Sequence, residues 1–523
     1  MMKNHLLKFL LSITIFCLLG FIPASSSALE SHNATDLQLK YPALLESIYQ
    51  NHPDHRFWQE ESLRDEFEKQ ILLLVAAGIS DDLSAYYQAL KKASGEHDWQ
   101  LYERLASDSL LFYISYTEQI SSKGTLWLFA GKIDNNIGVP SKKSTDPFFN
   151  APSQDRLQYL QSLLPAATRH SRLYHYFLSS YLTRHNKLSS AKFTVFAKQG
   201  EKLQQKDQLL ARLQISGEIS DEMKQYLEAQ DRDRYSEELQ DVVQHFQARH
   251  GLIVDGIIGK NTQYWLNISH DERLRLMALN ILRLQLWVLN KPRMILVNIP
   301  DYSMEYWESG QKTFTSKVIV GRVERKTPLF SSRLDSIVFN PSWYVPTTIM
   351  RKDILPYALI DQDFFEQNNY EIVPTWRSEE VINEDEIEWT TITAESFPYK
   401  LRQKPGKTNA LGLYKFNTPN KNAIYLHDTP AKQLFDRQYR AYSSGCIRVQ
   451  DADKFAQLLM EKSGFSEEEY QLHLQQEKTK VVSLKKKITV YTIYQTVWVD
   501  QLGFTQFRKD IYDYDKLSEL KLP

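Results

Sequence analysis

Two side chains that together can make an activated sulfur nucleophile stand in the last quarter of this sequence. Cys446 lies in Tyr442-Ser-Ser-Gly-Cys-Ile-Arg-Val449, and His427 closes the short apolar run Ala423-Ile-Tyr-Leu-His427. A free thiol has a pKa of about 8.5 and is mostly protonated at neutral pH; an imidazole within hydrogen-bond reach takes the proton and leaves a thiolate-imidazolium pair. Strand alternation puts Ile424 and Leu426 on one face and Tyr425 and His427 on the other. Gly445 allows a positive φ or a close backbone approach just before the sulfur. Ser443, Ser444 and Gly445 are small enough to leave backbone N–H groups facing a substrate. Downstream, Asp451 is placed to cap a helix bearing Phe455, Ala456, Leu458 and Leu459. The thiol is therefore expected about one turn before a helix start, where the dipole favours thiolate. The competing reading of Cys446 is a small buried apolar residue, as free cysteines often are.

The elements that must position this pair sit in a chain of 523 residues, long enough for roughly three domains. Its 63 Lys+Arg against 64 Asp+Glu give a net charge of −1, so no whole-chain field holds nucleic acid. With 42% hydrophobic and 12% aromatic residues, 18 Gly and 19 Pro, disordered, collagen-like and low-complexity classes are excluded. A mean hydropathy of −0.45 argues against a polytopic membrane protein. The apolar run from Phe9 to Ile22 follows Lys3, His5 and Lys8 and precedes the small residues Pro23-Ala-Ser-Ser-Ser-Ala28. It is shorter than the ~20 residues of a membrane span and reads as a secretory signal over 1–28, cleaved after Ala28, with an uncleaved signal anchor as the alternative. Cleavage removes Cys17 and leaves Cys446 as the only cysteine, unable to form an intramolecular disulfide.

Patterning divides the rest as a multidomain α+β protein. Residues 36–232 read as a helical scaffold, in which His170, His175 and His185 show no metal-ligand spacing. A small three-helix unit is expected over 233–268 and a linker helix over 269–292, opened by the capping box Ser269-His-Asp-Glu272. From 293 to 480 short β-branched runs (Met294–Ile299, Lys317–Gly321, Ser336–Phe339, Ala423–His427) predict a β-rich domain, a mixed sheet or sandwich. Between about 347 and 407 that pattern lapses into a charged, aromatic stretch expected to be a helical, lid-like insertion. Residues 481–523 are expected to add C-terminal strands, with a turn at Gln501-Leu-Gly503.

Several of these segments carry a family resemblance. His427-Asp-Thr-Pro430 with Ser443-Ser-Gly-Cys-Ile-Arg448 resembles the active-site signature of L,D-transpeptidases with a YkuD-type catalytic domain. Val318-Ile-Val-Gly-Arg322, Asn340-Pro-Ser-Trp-Tyr-Val-Pro346 and Asn409-Ala-Leu-Gly-Leu-Tyr-Lys-Phe416 match that family too. Phe246-Gln-Ala-Arg-His-Gly-Leu252 followed by Asp255-Gly-Ile-Ile-Gly259 resembles a small peptidoglycan-binding module; a helical spacer that binds nothing is the alternative. The order of signal, scaffold, module and interrupted catalytic domain looks like the YcbB-like long branch. Ser444 departs from many shorter members, which carry His before Gly-Cys.

The resemblance implies acyl transfer on peptidoglycan. Cys446 would attack the diaminopimelate carbonyl of a donor tetrapeptide, expel the terminal D-Ala, and pass the acyl group to a neighbouring stem as a 3–3 cross-link. His427 would shuttle the protons, the Ser443 carbonyl would orient it, and the Gly445 and Cys446 N–H groups would form the oxyanion hole. Around the cleft, Ser444 is a substrate-side residue, and Arg448 is suited to a stem carboxylate or to an internal salt bridge. Tyr425 and Trp343 either line the cleft or pack. No metal or organic cofactor is implied. The implied partners are peptidoglycan stems as donor and acceptor and carbapenem-type β-lactams as covalent inhibitors, in the periplasm or cell envelope, with membrane anchoring only through the N-terminal segment. An exported Cys-His carboxypeptidase or peptidase, using water as acceptor, and a non-catalytic wall-binding scaffold are the other readings.

Overall fold

The computed structural model describes residues 37–515 apart from 54–55, 135, 184–191, 231–233 and 362. The N-terminal apolar run, its small-residue stretch and His185 lie outside the described residues. No helix among the described residues is long and apolar enough to cross a membrane.

Helices build the first half. Glu61–Ala77 buries ten side chains and ends where Gly78 turns left-handed at φ 70°. Ser80 and Asp98 then cap the next two helices by accepting from Leu83 and Leu101 N–H, which satisfies donors that a helix start leaves open. The unit expected at 233–268 holds two helices, Glu237–Arg249 and Lys260–Leu266. Lys206–Ile215, counted from sequence with the scaffold, packs against the second of them. Buried Gln247 explains the Phe-Gln and Asp-Gly signature. Its amide donates to Asp255 Oδ1 and Ile257 O, both at 2.9 Å, and accepts from Asp255 and Gly256 N–H.

The helix His270–Leu284 is more than a linker. Every residue from Arg273 to Arg283 is buried, and it packs on the scaffold helices Glu61–Ala77 and Arg172–Leu182. Ser269 caps it by accepting from Glu272 N–H at 3.1 Å, while the Glu272 carboxylate pairs with Arg275, so only one half of the expected capping box forms. Fully buried Arg283 donates to Asp515 at 2.7 Å.

Fourteen strands are present among the described residues. In chain order they are β1 (Arg293–Asn298), β2 (Ser303–Glu308), β3 (Gln311–Gly321), β4 (Phe330–Phe339), β5 (Trp343–Tyr344), β6 (Tyr370–Val373) and β7 (Lys400–Gln403), then β8 (Tyr414–Asn417), β9 (Leu426–His427), β10 (Ala441–Ser443), β11 (Ile447–Val449), β12 (Lys480–Ile493), β13 (Val497–Val499) and β14 (Thr505–Phe507). Nine form one sheet in the order β10-β3-β11-β9-β8-β4-β12-β1-β2, which closes on itself because β2 also pairs with β3. It is mixed: β1–β12, β3–β10 and β9–β11 are parallel. The core it encloses takes alternate residues of each strand, among them Val318, Val320, Phe416, Leu426, Ile447 and Val449, with Phe455 and Leu459 from the helix Ala452–Lys462.

Three expectations change. β12 belongs to the main sheet, hydrogen-bonded between β4 and β1, so the sheet runs on past the division drawn at 480. The insertion is not helical alone: its short helical turns surround a three-stranded sheet, β5-β7-β6. It has its own core of Val345, Met350, Leu355, Phe365, Phe397 and Leu401, which lets this segment fold as a unit beside the sheet. Between β14 and residue 515 no described residue lies in a strand, and the C-terminal hairpin is β13–β14.

Candidate active site

Because Phe416, Leu426 and Ile447 point into the core, their neighbours Lys415, Tyr425, His427, Cys446 and Arg448 share the opposite face. Register aligns them: Lys415 pairs with His427, and His427 with Arg448. Cys446 then lies beside Tyr425 and diagonal to His427, roughly 7–8 Å away at Cα. Between the two side chains no hydrogen bond is among those described; Cys446 Sγ donates instead to the Ala423 carbonyl at 3.9 Å. His427 is buried and Cys446 half-buried.

The imidazole is held by its neighbour. His427 Nδ1 lies 2.5 Å from the Asp428 carbonyl; a carbonyl only accepts, so Nδ1 carries the proton and Nε2 is left as the acceptor. The Asp428 carboxylate takes Leu413 N–H at 2.9 Å and Lys432 Nζ at 2.5 Å, fixing the loop that supplies this carbonyl. Ser443 does not orient the ring as expected: its carbonyl accepts from Arg322 N–H at 3.0 Å. Its hydroxyl donates to Cys446 O and accepts Gly445 N–H at 3.1 Å. Gly445 N–H is therefore engaged, whereas Cys446 N–H finds no acceptor among the described hydrogen bonds. Gly445 adopts φ +118°, a region closed to most L side chains. Its carbonyl is fixed by buried Thr327 Oγ1 at 2.8 Å.

The expected dipole does not reach the sulfur. The extended β11 intervenes before the helix Ala452–Lys462, and three strand residues cover about 10 Å. Lys415 and Arg448 supply the positive charge instead. Burial pushes the Cys446 thiol up; Tyr425, through its main chain and hydroxyl, Lys415 and Arg448 pull it partly back. Burial, then the Arg448 charge, pushes His427 down to about 3, against the Asp428 carbonyl, with Lys415 adding to the depression. Burial thus favours the neutral form of both the thiol and the imidazole, and the nearby cations add to this for the ring while working against it for the thiol.

Arg448 makes no ion pair among the described residues, and its Nε is buried without a partner. The Tyr425 hydroxyl lies near both Cys446 and Trp343. Its ring lies 5.7 Å from the His427 ring and 4.4 Å from Lys415 Nζ. Trp343 thereby brings β5 of the insertion to the thiol. The half-buried Ser444 hydroxyl accepts from Arg325 at 2.9 Å and Arg322 at 3.2 Å. Both arginines also pair with Asp353 of the insertion. Lys415, Asp353, Arg322 and Arg325 carried no signal as site residues in the sequence. Lys415 and Arg322 fell inside quoted motifs, but what each faces depends on strand register. Among the described residues no group of three or more His, Cys, Asp or Glu side chains is placed to hold a metal ion.

A desolvated thiol, a histidine whose Nδ1 is spent on a carbonyl and two flanking cations are groups that acyl transfer of the cysteine–histidine class can use. Residues 292–482 match YkuD, the L,D-transpeptidase catalytic domain, and residues 208–266 match the family described as "Putative peptidoglycan binding domain". The chain carries a YkuD L,D-transpeptidase catalytic domain together with a peptidoglycan-binding domain. A Haemophilus influenzae protein named "Putative L,D-transpeptidase" is 26% identical over 491 residues, covering 94% of this chain and 82% of its own. Crystal structures of L,D-transpeptidases from Xylanimonas cellulosilytica (10% identity, TM-score 0.17, 58% of this chain and 100% of that one) and Stackebrandtia nassauensis (12%, 0.20, 58% and 97%) are also similar. At these scores neither structure bears on the fold.

Proposed function

We propose that this protein forms 3–3 peptidoglycan cross-links outside the cytoplasm through a thioester on Cys446. The observation that supports the reading is the strand register, which pairs His427 with Lys415 and Arg448 on the strands flanking it and sets Cys446 one residue before Ile447, the partner of Leu426. Nε2 takes the thiol proton as sulfur bonds to the diaminopimelate carbonyl carbon. Lys415 and Arg448 stabilise the developing negative charge, and Cys446 N–H is the candidate donor to the oxyanion. The intermediate collapses by breaking the bond to the D-Ala nitrogen, which takes the proton from His427. An amine of a second stem then attacks the thioester and gives its proton to His427, and the returning thiolate is reprotonated. Unpaired Arg448 suits a donor carboxylate, and the peptidoglycan-binding domain suits a polymeric substrate.

Purified disaccharide-tetrapeptide is the test substrate. Cross-linked dimers with free D-Ala are expected; shortened monomers alone would replace transfer by hydrolysis. A carbapenem is expected to leave a mass adduct on Cys446, and an unmodified, still active enzyme would count against the thioester. Gly412 gives an indirect test. It adopts φ +60°, and an added Cβ would lie 2.2 Å from Asp428 Oδ2. Gly412→Ala should displace Asp428, and with it the carbonyl on His427 Nδ1. A kcat loss of about ten- to a hundred-fold is expected, as for groups that orient a functional imidazole, with KM little changed.

A further inference from the structure

The turn that carries Cys446 is braced by a residue from a distant segment. Thr327 follows the short helical turn Val323–Arg325 that leaves β3, and it is fully buried. Its Oγ1 accepts from Gly321 N–H at 2.8 Å, so the single hydroxyl proton goes to the Gly445 carbonyl, also at 2.8 Å. Its own N–H donates to the Tyr512 hydroxyl at 3.0 Å, which in turn donates to the Gly321 carbonyl at 2.6 Å. Within the turn, the Ser443 hydroxyl holds Gly445 N–H and Cys446 O. Three of the four main-chain polar groups of Gly445 and Cys446 are thus engaged. Only Cys446 N–H has no acceptor among the described hydrogen bonds.

We infer that Thr327 is a positioning residue for the oxyanion, acting through the Gly445–Cys446 peptide. A trans peptide is planar, and its C=O and N–H point in opposite directions. Holding the Gly445 oxygen against buried Thr327 therefore turns Cys446 N–H away from Thr327 and fixes its direction. Glycine cannot set that plane by itself, because both signs of φ are open to it. At φ +118° the plane depends on the bond at its oxygen. A donor aimed before the reaction needs no reorganisation as charge develops on the substrate oxygen. This role rests on acyl transfer at Cys446, the reaction proposed above.

Two reagents that attack the same sulfur separate aiming from mere support. With p-nitrophenyl acetate, sulfur bonds to the acetyl carbon through a tetrahedral oxyanion, p-nitrophenolate leaves, and the thiol proton is released. With iodoacetamide, sulfur displaces iodide and no oxyanion forms. Both rates are followed on the peptide containing Cys446, in the full chain, Thr327→Val and Thr327→Ser. Thr327→Val should slow acetylation about ten- to a hundred-fold, somewhat less than deleting an oxyanion donor outright, and leave alkylation within about two-fold of the parent. Thr327→Ser keeps the hydroxyl and should acetylate within about three-fold of the parent. Parental acetylation in Thr327→Val, both rates slowed alike, or a Thr327→Ser as slow as Thr327→Val would overturn the inference. Should Thr327→Val not fold, Thr327→Ala decides on the same two rates; failure of both to fold would make Thr327 a folding residue and overturn it too. A parent acetylated on Cys446 that makes no cross-links would refute the proposed function and leave the role of Thr327 standing. A parent never acetylated there would refute both.

Discussion

Cys446→Ala is expected to lower D-Ala release and cross-linking by about 10⁴-fold or more, ~5 kcal/mol of barrier, the scale on which a lost nucleophile is felt. Fold and substrate binding should persist. Cys446 is only half-buried, and the surrounding loop is held through Ser443 and Thr327 rather than through sulfur. Side-by-side product analysis of parent and variant checks this. Parental rates in the variant would remove the thiol from the mechanism and leave a wall-binding protein.

His427 supports the second large effect, on activity and on acid stability together. His427→Gln should lower kcat by about 10²–10⁴-fold, the usual range for a general acid–base group. The folded ring has its pKa depressed to about 3, against ~6.5 for an unfolded histidine. Between those values the unfolded chain binds more protons than the folded one, so stability rises with pH across that window. As pH falls from about 6.5 towards 3, His427 alone should remove stability at a slope approaching ~1.4 kcal/mol per pH unit. His250 adds to this, since burial and the Arg273 beside its Nε2 push it well below the usual range. Urea unfolding at several pH values should show a shallower acid slope in His427→Gln than in the parent. An equal slope would mean the ring is not buried neutral. For the same reason kcat/KM should hold through pH 6.5 instead of falling there as it does for an ordinary imidazole.

What could be read from sequence was local. Cys446, His427 and Gly445 announce themselves because a lone thiol, a strand-end histidine and a glycine before sulfur each have a short-range signature. The core alternation around Leu426 and Ile447 was visible in part, although β9 to β11 are only two or three residues long and carry almost no periodicity. β12 was cut because Lys485, Lys486 and Lys487 fall where its register shifts, which makes one strand look like a polar boundary followed by a second strand. The insertion hid its small core behind charge; Trp389 lies 5.8 Å from the Phe365 ring and 6.0 Å from Phe397 only after folding. The pairing of Asp353 with Arg322 and Arg325 and the place of Lys415 opposite His427 depend on separate segments meeting. No spacing rule encodes those. The ionisation state of the pair was missed for the same reason, since it is set by burial and by cations on other strands.

The most direct measurement is intact-mass and peptide mapping of the enzyme mixed with donor tetrapeptide in the absence of an acceptor amine. A tripeptide acyl adduct should appear on the peptide containing Cys446, with one D-Ala released per adduct, and should be missing in Cys446→Ala and strongly slowed in His427→Gln. D-Ala released in the first turnover with no covalent species, or an adduct on any other residue, would contradict acyl transfer through this sulfur.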